Sequence, residues 1–285
     1  CAASLMATTV LRAHPGFHLA RVQDVQLFGG LFADEDTEVT LTMKRASAPD
    51  AAELEIACRM AAASGGARAA PAYGATVVLS TTAAAVPCGV GCGSQPGSVA
   101  ALYDGETLFH GPALQHIAHA AISGDVLTAK CVNVSLDAAE AGQFESTRTC
   151  VNGFAADAMM QAMLVAARSK LGAASLPSTI GSLEWHRPIA PGGEYRLTLE
   201  FATSPTGCTA TCYLHDAAGV AYATGRQLAV TINRGLDFRA AGKAAAGSKA
   251  AGKAATARRT PTDDPRIAIV GMAARYAGAP DLDAF

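Results

Sequence analysis

Residues 155–171 read AADAMMQAMLVAARSKL and run directly into Gly172. Met159, Met160, Met163, Leu164 and Ala167 recur at helical spacing, and a glycine just past Leu171 is a common helix stop. The pattern therefore predicts one long helix with a continuous apolar face. Near its start, Asp157 and Gln161 stand four residues apart, hence on one helical face, among Met and Ala. A carboxylate at a helix start has an ordinary use as a dipole or capping partner. Packed against a sheet, the same carboxyl is desolvated, which favours its protonated form and suits it to general acid work. The Met face also has two uses, lining an apolar channel or plain core filling, and the second is the commoner.

Strand-like segments lie on both sides of this helix. Residues 21–31, 37–45, 53–61 and 73–82 are short, partly alternating and rich in Val, Leu and Thr. Similar stretches occur at 125–134, 195–203, 208–215 and 220–232. Residues 2–13 carry Leu5, Met6, Thr9 and Val10 at helical spacing and read as the end of a second helix. The Gly/Pro/Cys-rich run at 86–98 (VPCGVGCGSQPGS) separates the two sets. The order is helix and strands, a break, then strands, helix and strands. That pattern predicts an α+β protein made of two similar antiparallel units, each with one helix against a sheet.

Charge and composition narrow the function classes. Of 285 residues, 50% are apolar and 16% charged, which excludes an acidic disordered chain. Six of the 22 basic residues fall between Arg239 and Thr262 with no acid among them. The remainder sets 16 basic against 24 acidic residues, so the folded part is acidic and ill suited to phosphate backbones. Residues 239–263 (RAAGKAAAGSKAAGKAATARRTPTD) lack large apolar side chains and read as a tether, with a nucleic-acid tail as the sharper alternative. No run approaches about 18 apolar residues, so no membrane span is expected, and residues 1–4 (CAAS) show no charged start leading into an apolar core of the secretory type. The chain opens on Cys1 and stops soon after the apolar run at 267–270, and reads as an internal piece of a longer protein.

Eight cysteines stand at 1, 58, 88, 92, 131, 150, 208 and 212. Cys88/Cys92 and Cys208/Cys212 share a CxxxC spacing, but they lie far apart in the chain and only His215 is close by. Small apolar core residues in a reducing, cytoplasmic setting are the expectation, with no metal site.

A second segment has chemical character. Leu102 to Gln115 (LYDGETLFHGPALQ) carries Phe109 and His110 into Gly111 and Pro112, a rigid turn that a ligand can approach closely. Its plain use is as a turn before a strand or short helix. Together, LFHGPALQ (108–115), DAMMQ (157–161) and SLPSTIGSLEWHRP (175–188) resemble the second half of a dehydratase domain of the polyketide-synthase type. They are most similar to those of iterative polyketide and polyunsaturated fatty acid synthases. Residues 15–32 resemble the strand after the first helix of the same family, and IAIVGMAARYAGAPDLDAF (267–285) resembles the opening of a ketosynthase.

The resemblance implies a double hotdog, two antiparallel sheets each wrapping a long helix. The first hotdog would be truncated at its N-terminus, and a flexible linker and an isolated ketosynthase first strand would follow. The implied divisions are 1–98 for the rest of the first hotdog and its connecting loop, 99–238 for the second hotdog, 239–263 for the linker and 264–285 for the ketosynthase start. The implied reaction is loss of water from a 3-hydroxyacyl thioester on the phosphopantetheine of an acyl carrier protein, with no cofactor bound directly. In the family a His of the first hotdog takes the C2 proton and an Asp of the second protonates the departing hydroxyl. By motif, Asp157 matches the acid and Gln161 its orienting neighbour. Phe109, His110, Gly111 and Pro112 match the substrate-binding turn, where a backbone N–H meets the thioester carbonyl. The family's His-x3-Gly-x4-Pro motif does not occur in these 285 residues, which implies that the fragment alone is inactive. His110 stands close to the matched motif, with a structural role as its ordinary reading. Implied partners are the carrier protein, neighbouring synthase domains and a second copy in a homodimer, with no nucleic acid. Two other functions share the resemblance: a non-catalytic hotdog that spaces, dimerises or binds carrier protein, and a product-template hotdog that shapes polyketide rings.

Overall fold

The structure, a computed structural model, describes residues 2–29, 38–48, 53–62, 71–90, 102–105, 107–108, 110, 114–133 and 152–232. Helix α1 (Ala2–Ala13) leads into β1 (His18–Leu27), β2 (Val39–Arg45), β3 (Glu53–Ala62) and β4 (Tyr73–Ser80). Next come β5 (Ile117–Ser123), β6 (Val126–Val132), helix α2 (Gly153–Leu171), β7 (Ser175–Trp185), β8 (Glu194–Ser204), β9 (Gly207–His215) and β10 (Ala221–Ile232).

The strand order is β2-β3-β4-β1-β7-β10-β9-β8-β6-β5, antiparallel throughout. The duplication read from the sequence is visible in this order. In each half a helix is followed by four strands, the first of which ends up innermost and the second outermost. Strands β6 and β5 extend the second half. One expectation is corrected: the two sheets are a single ten-stranded sheet, because β1 and β7 pair directly from Val22↔Leu183 to Gln26↔Thr179. Apolar pairs (Val22↔Leu183, Val25↔Ile180) and polar pairs (Gln23↔Ser182, Gln26↔Thr179) both line the seam, so backbone hydrogen bonding and the burial of Val22 and Leu183 in the core together join the halves.

Helix α1 packs on β4, β1 and β3, helix α2 packs on β10, β8, β9 and β7, and the two helices touch. Every residue of α2 from Ala158 to Ala167 is buried, so the helix is enclosed on all sides rather than on the one face that its Met spacing predicted. Alanines at 158, 162, 166 and 167 allow this close approach. Gly225 of β10 takes part as well: a Cβ there would meet Met159 Sδ at 2.9 Å. Met159, Met160 and Met163 belong to the core. No helix among the described residues is long and apolar enough to cross a membrane. The linker at 239–263 and the ketosynthase-like segment at 264–285 lie outside the described residues.

Four cysteines match the core expectation: Cys58, Cys131, Cys208 and Cys212 are buried free thiols. Cys88 departs from it and is exposed. Cys92 lies outside the described residues, while Cys208 and Cys212 sit on β9 inside the core.

Candidate active site

Helix α2 starts two residues earlier than its apolar pattern predicted, and that shift changes the reading of Asp157. The N-cap is Asn152, whose side-chain oxygen accepts from the N–H groups of Phe154 and Ala155 at 3.1 Å each. Asp157 therefore lies in the second turn and is not the capping residue. At the other end Gly172 takes φ +65 and its N–H bonds Arg168 O, the stop that the sequence predicted.

Asn152 also ties the helix to the sheet. Its Nδ2 donates to Asn133 Oδ1 at 2.9 Å, just past the end of β6. Asn133 Nδ2 in turn donates to Ile189 O and Ala190 O at 3.0 and 2.9 Å. Both asparagines are buried, so this network sets where α2 begins and hence where Asp157 stands.

The second wall of the site is the segment before β5. Asp104 closes its turn by accepting from Thr107 N at 2.7 Å, and Leu102 and Leu108 anchor it in the core. From this wall Tyr103, His110 and Leu114 reach α2. His110 Nε2 lies 3.8 Å from Asp157 Oδ2, beyond direct hydrogen-bond length but close enough for electrostatic influence. Gln161 Nε2 donates to Asp157 Oδ2 and to Leu114 O, each at 2.7 Å. Tyr103 Oη donates to Gln161 Oε1 at 2.8 Å and accepts from Ile117 N at 2.9 Å.

Burial lowers the pKa of His110, and the nearby Asp157 carboxylate offsets this only in part. His116, also in this wall, is 1% exposed and stacks at a tilt on Phe154, with ring centroids 5.9 Å apart. Burial lowers its pKa too, against smaller opposing effects of the Asp157 carboxylate and the Val132 backbone. Burial pushes the Tyr103 hydroxyl up to about 12. The site is thus a carboxyl held by an amide, faced by an imidazole that favours the neutral form. The desolvation expected at Asp157 is partial, since its side chain keeps 35% exposure, whereas Gln161 is fully buried. The carboxyl opens to the outside on one side while its amide support is sealed in the core.

The structure brings Asp157, Gln161 and His110 together, across 47 residues of chain. Phe109, Gly111 and Pro112 lie outside the described residues. Sequence reasoning missed Tyr103 and the Asn133–Asn152 pair, and it noted His116 near the matched motif but gave it no role. An asparagine three residues before Ala155 was a readable capping signal for Asn152. No spacing rule links Tyr103 to Gln161.

No family model matches the chain. One polyunsaturated fatty acid synthase polypeptide of Thraustochytrium sp. is 35% identical over 201 residues, 68% of this chain. The chain spans 7% of that relative's length. A trans-AT polyketide synthase dehydratase domain from Brevibacillus brevis superposes with a TM-score of 0.61 at 14% identity, covering 80% of this chain and 83% of its own. The dehydratase of the CurK module of the curacin synthase superposes at 0.57 and 17% identity, covering 80% of this chain and 81% of its own. Two inactive mutants of that domain, one with a His replaced by Phe and one with an Asp replaced by Asn, superpose equally well. The chain has the dehydratase-type hotdog fold.

Proposed function

We propose that this chain is the dehydratase region of a multidomain synthase, removing water from a 3-hydroxyacyl thioester carried on the phosphopantetheine of an acyl carrier protein. The observation that carries the reading is the Asp157 carboxyl, held at 2.7 Å by a buried Gln161, facing His110 and open on one side. A group of this kind can give a proton to a hydroxyl leaving C3 as the C2–H electrons form the new double bond. The hydroxyl departs as water, and the C2 proton goes to a base. By the resemblance that base is an imidazole of the first hotdog.

The residues of this chain have separable tasks. Gln161 orients the carboxyl and occupies one of its oxygens. His110, which favours the neutral form, can stand beside Asp157 without pairing with it as a cation, so the acid is not tied up in an ion pair. The sheet-enclosed helix excludes water from the support side, where water would compete for the Gln161 amide. In the CurK dehydratase, replacing one His or one Asp gives an inactive mutant, which accords with a reaction that needs both residue types. A ketosynthase after the linker at 239–263, a cytoplasmic setting and a dimeric synthase complete the proposal.

Asp157→Asn tests it. In the full-length protein offered a 3-hydroxyacyl pantetheine thioester, enoyl formation should fall about 100-fold or more, as expected for a lost general acid, with the circular dichroism unchanged. Equal turnover by the variant would remove Asp157 from the chemistry and overturn this reading of the site.

A further inference from the structure

We propose that Tyr103 is a positioning residue for Asp157, acting through Gln161, and that this arrangement leaves Oδ1 as the oxygen of Asp157 that bears the transferable proton. The inference rests on the dehydratase reading above.

It begins with the amide of Gln161. Oε1 receives the Tyr103 hydroxyl at 2.8 Å, while Nε2 donates at 2.7 Å both to Leu114 O and to Asp157 Oδ2. Turning the amide over would set Oε1 against a carbonyl and a carboxylate oxygen, two acceptors, and would leave both without a donor. One orientation alone satisfies all three partners. Tyr103 holds that orientation because its own hydroxyl is fixed. Its oxygen accepts the Ile117 N–H at 2.9 Å, so its hydrogen is directed to Gln161. With its ionisation pushed up to about 12 by burial, the phenol remains a donor across the working pH range.

The consequence reaches the acid. Oδ2 is occupied by the Gln161 N–H, and His110 Nε2 approaches that same oxygen at 3.8 Å. A proton on Oδ2 would compete with the Gln161 donor, so the neutral carboxyl carries its proton on Oδ1. Tyr103 lies 58 residues from Gln161 in the chain, on the segment that also bears His110. The same loop therefore sets the direction of the acid and supplies the imidazole beside it.

The test is a double-mutant comparison in the full-length protein, with kcat and KM measured separately on a 3-hydroxyacyl pantetheine thioester. Y103F should lower kcat about tenfold, the scale of one lost hydrogen bond, and leave KM unchanged. In a Q161A background Y103F should have no further effect on kcat; independent losses in the two backgrounds would overturn the proposal. A second arm needs no turnover: hydrogen exchange of the Gln161 side-chain amide, followed by 15N NMR in the 285-residue chain. Exchange at least tenfold faster in Y103F supports the positioning, and unchanged exchange overturns it even where kcat falls. Should the wild type show no turnover while Y103F frees the amide, the dehydratase reading fails and the positioning of Asp157 stands.

Discussion

Replacing Asn152 with alanine should cost the chain about 2–4 kcal/mol of folding stability. Two separate losses make up this figure. The Asn152 oxygen caps α2 by accepting from Phe154 N and Ala155 N, and removing such a cap typically costs about 1 kcal/mol. The Asn152 amide also donates to Asn133 Oδ1, and a buried acceptor stripped of its donor costs about 1–3 kcal/mol more. Asn133 cannot recover by turning its amide over, because its Nδ2 already serves Ile189 O and Ala190 O. Asn152→Ser separates the two contributions: a serine caps well but cannot reach Asn133, so it should cost only the second, about 1–3 kcal/mol. Urea unfolding at neutral pH measures both variants, with the midpoint falling at constant slope. An alanine variant within about 0.5 kcal/mol of wild type, or a serine variant no better than alanine, would refute the view that this network sets where α2 starts.

Three further outcomes are expected. Gly207→Ala should destabilise the chain more than Gly225→Ala in the same urea assay, because the first Cβ would run into the fixed carbonyl of Val230 and the second meets the movable Met159 side chain; the reverse ranking would count against it. Mass mapping after brief alkylation of the native chain should find Cys88 modified and Cys58, Cys131, Cys208 and Cys212 protected, since burial excludes reagent and pushes the Cys58 and Cys208 thiols to about 11 and Cys131 to about 12. Burial lowers the pKa of His110, His116, His186 and His215, so below about 6.5 the unfolded chain binds protons that the folded chain refuses. Stability present above that value is lost as pH falls through it towards the depressed folded values, and equal urea midpoints at pH values one unit above and one unit below it would contradict this.

The elements legible in the sequence were those whose side chains advertise burial. Strand β3 alternates Leu54, Ile56, Cys58 and Met60 inward, and α2 carries methionines at helical spacing. Strands β5 and β7 went unread as strands for opposite reasons. In β5, IAHAAIS, alanine gives little preference for strand over helix. In β7, SLPSTIGSLEW, Pro177 and Gly181 read as breaks. There Gly181 is required by a close approach, since a Cβ would strike Gln227 Cβ at 2.6 Å, where β10 bulges and Gln227 takes φ +51. The strand that joins the two halves is thus the one whose composition argues most against a strand.

The sequence by itself determined the α+β character, the repeated helix-and-strand plan, the ends of the long helix to within two residues, and the pairing of Asp157 with Gln161. All of these follow from spacings of a few residues, where backbone periodicity alone decides which side chains are neighbours. Tertiary structure decided that the two units share one sheet, that Asn152 rather than Asp157 caps the helix, and that Tyr103 and His110 close on the carboxyl from a loop about fifty residues away. Contacts at that range depend on how strands are ordered in the sheet, and strand order is set by packing of the whole core, which no local pattern records.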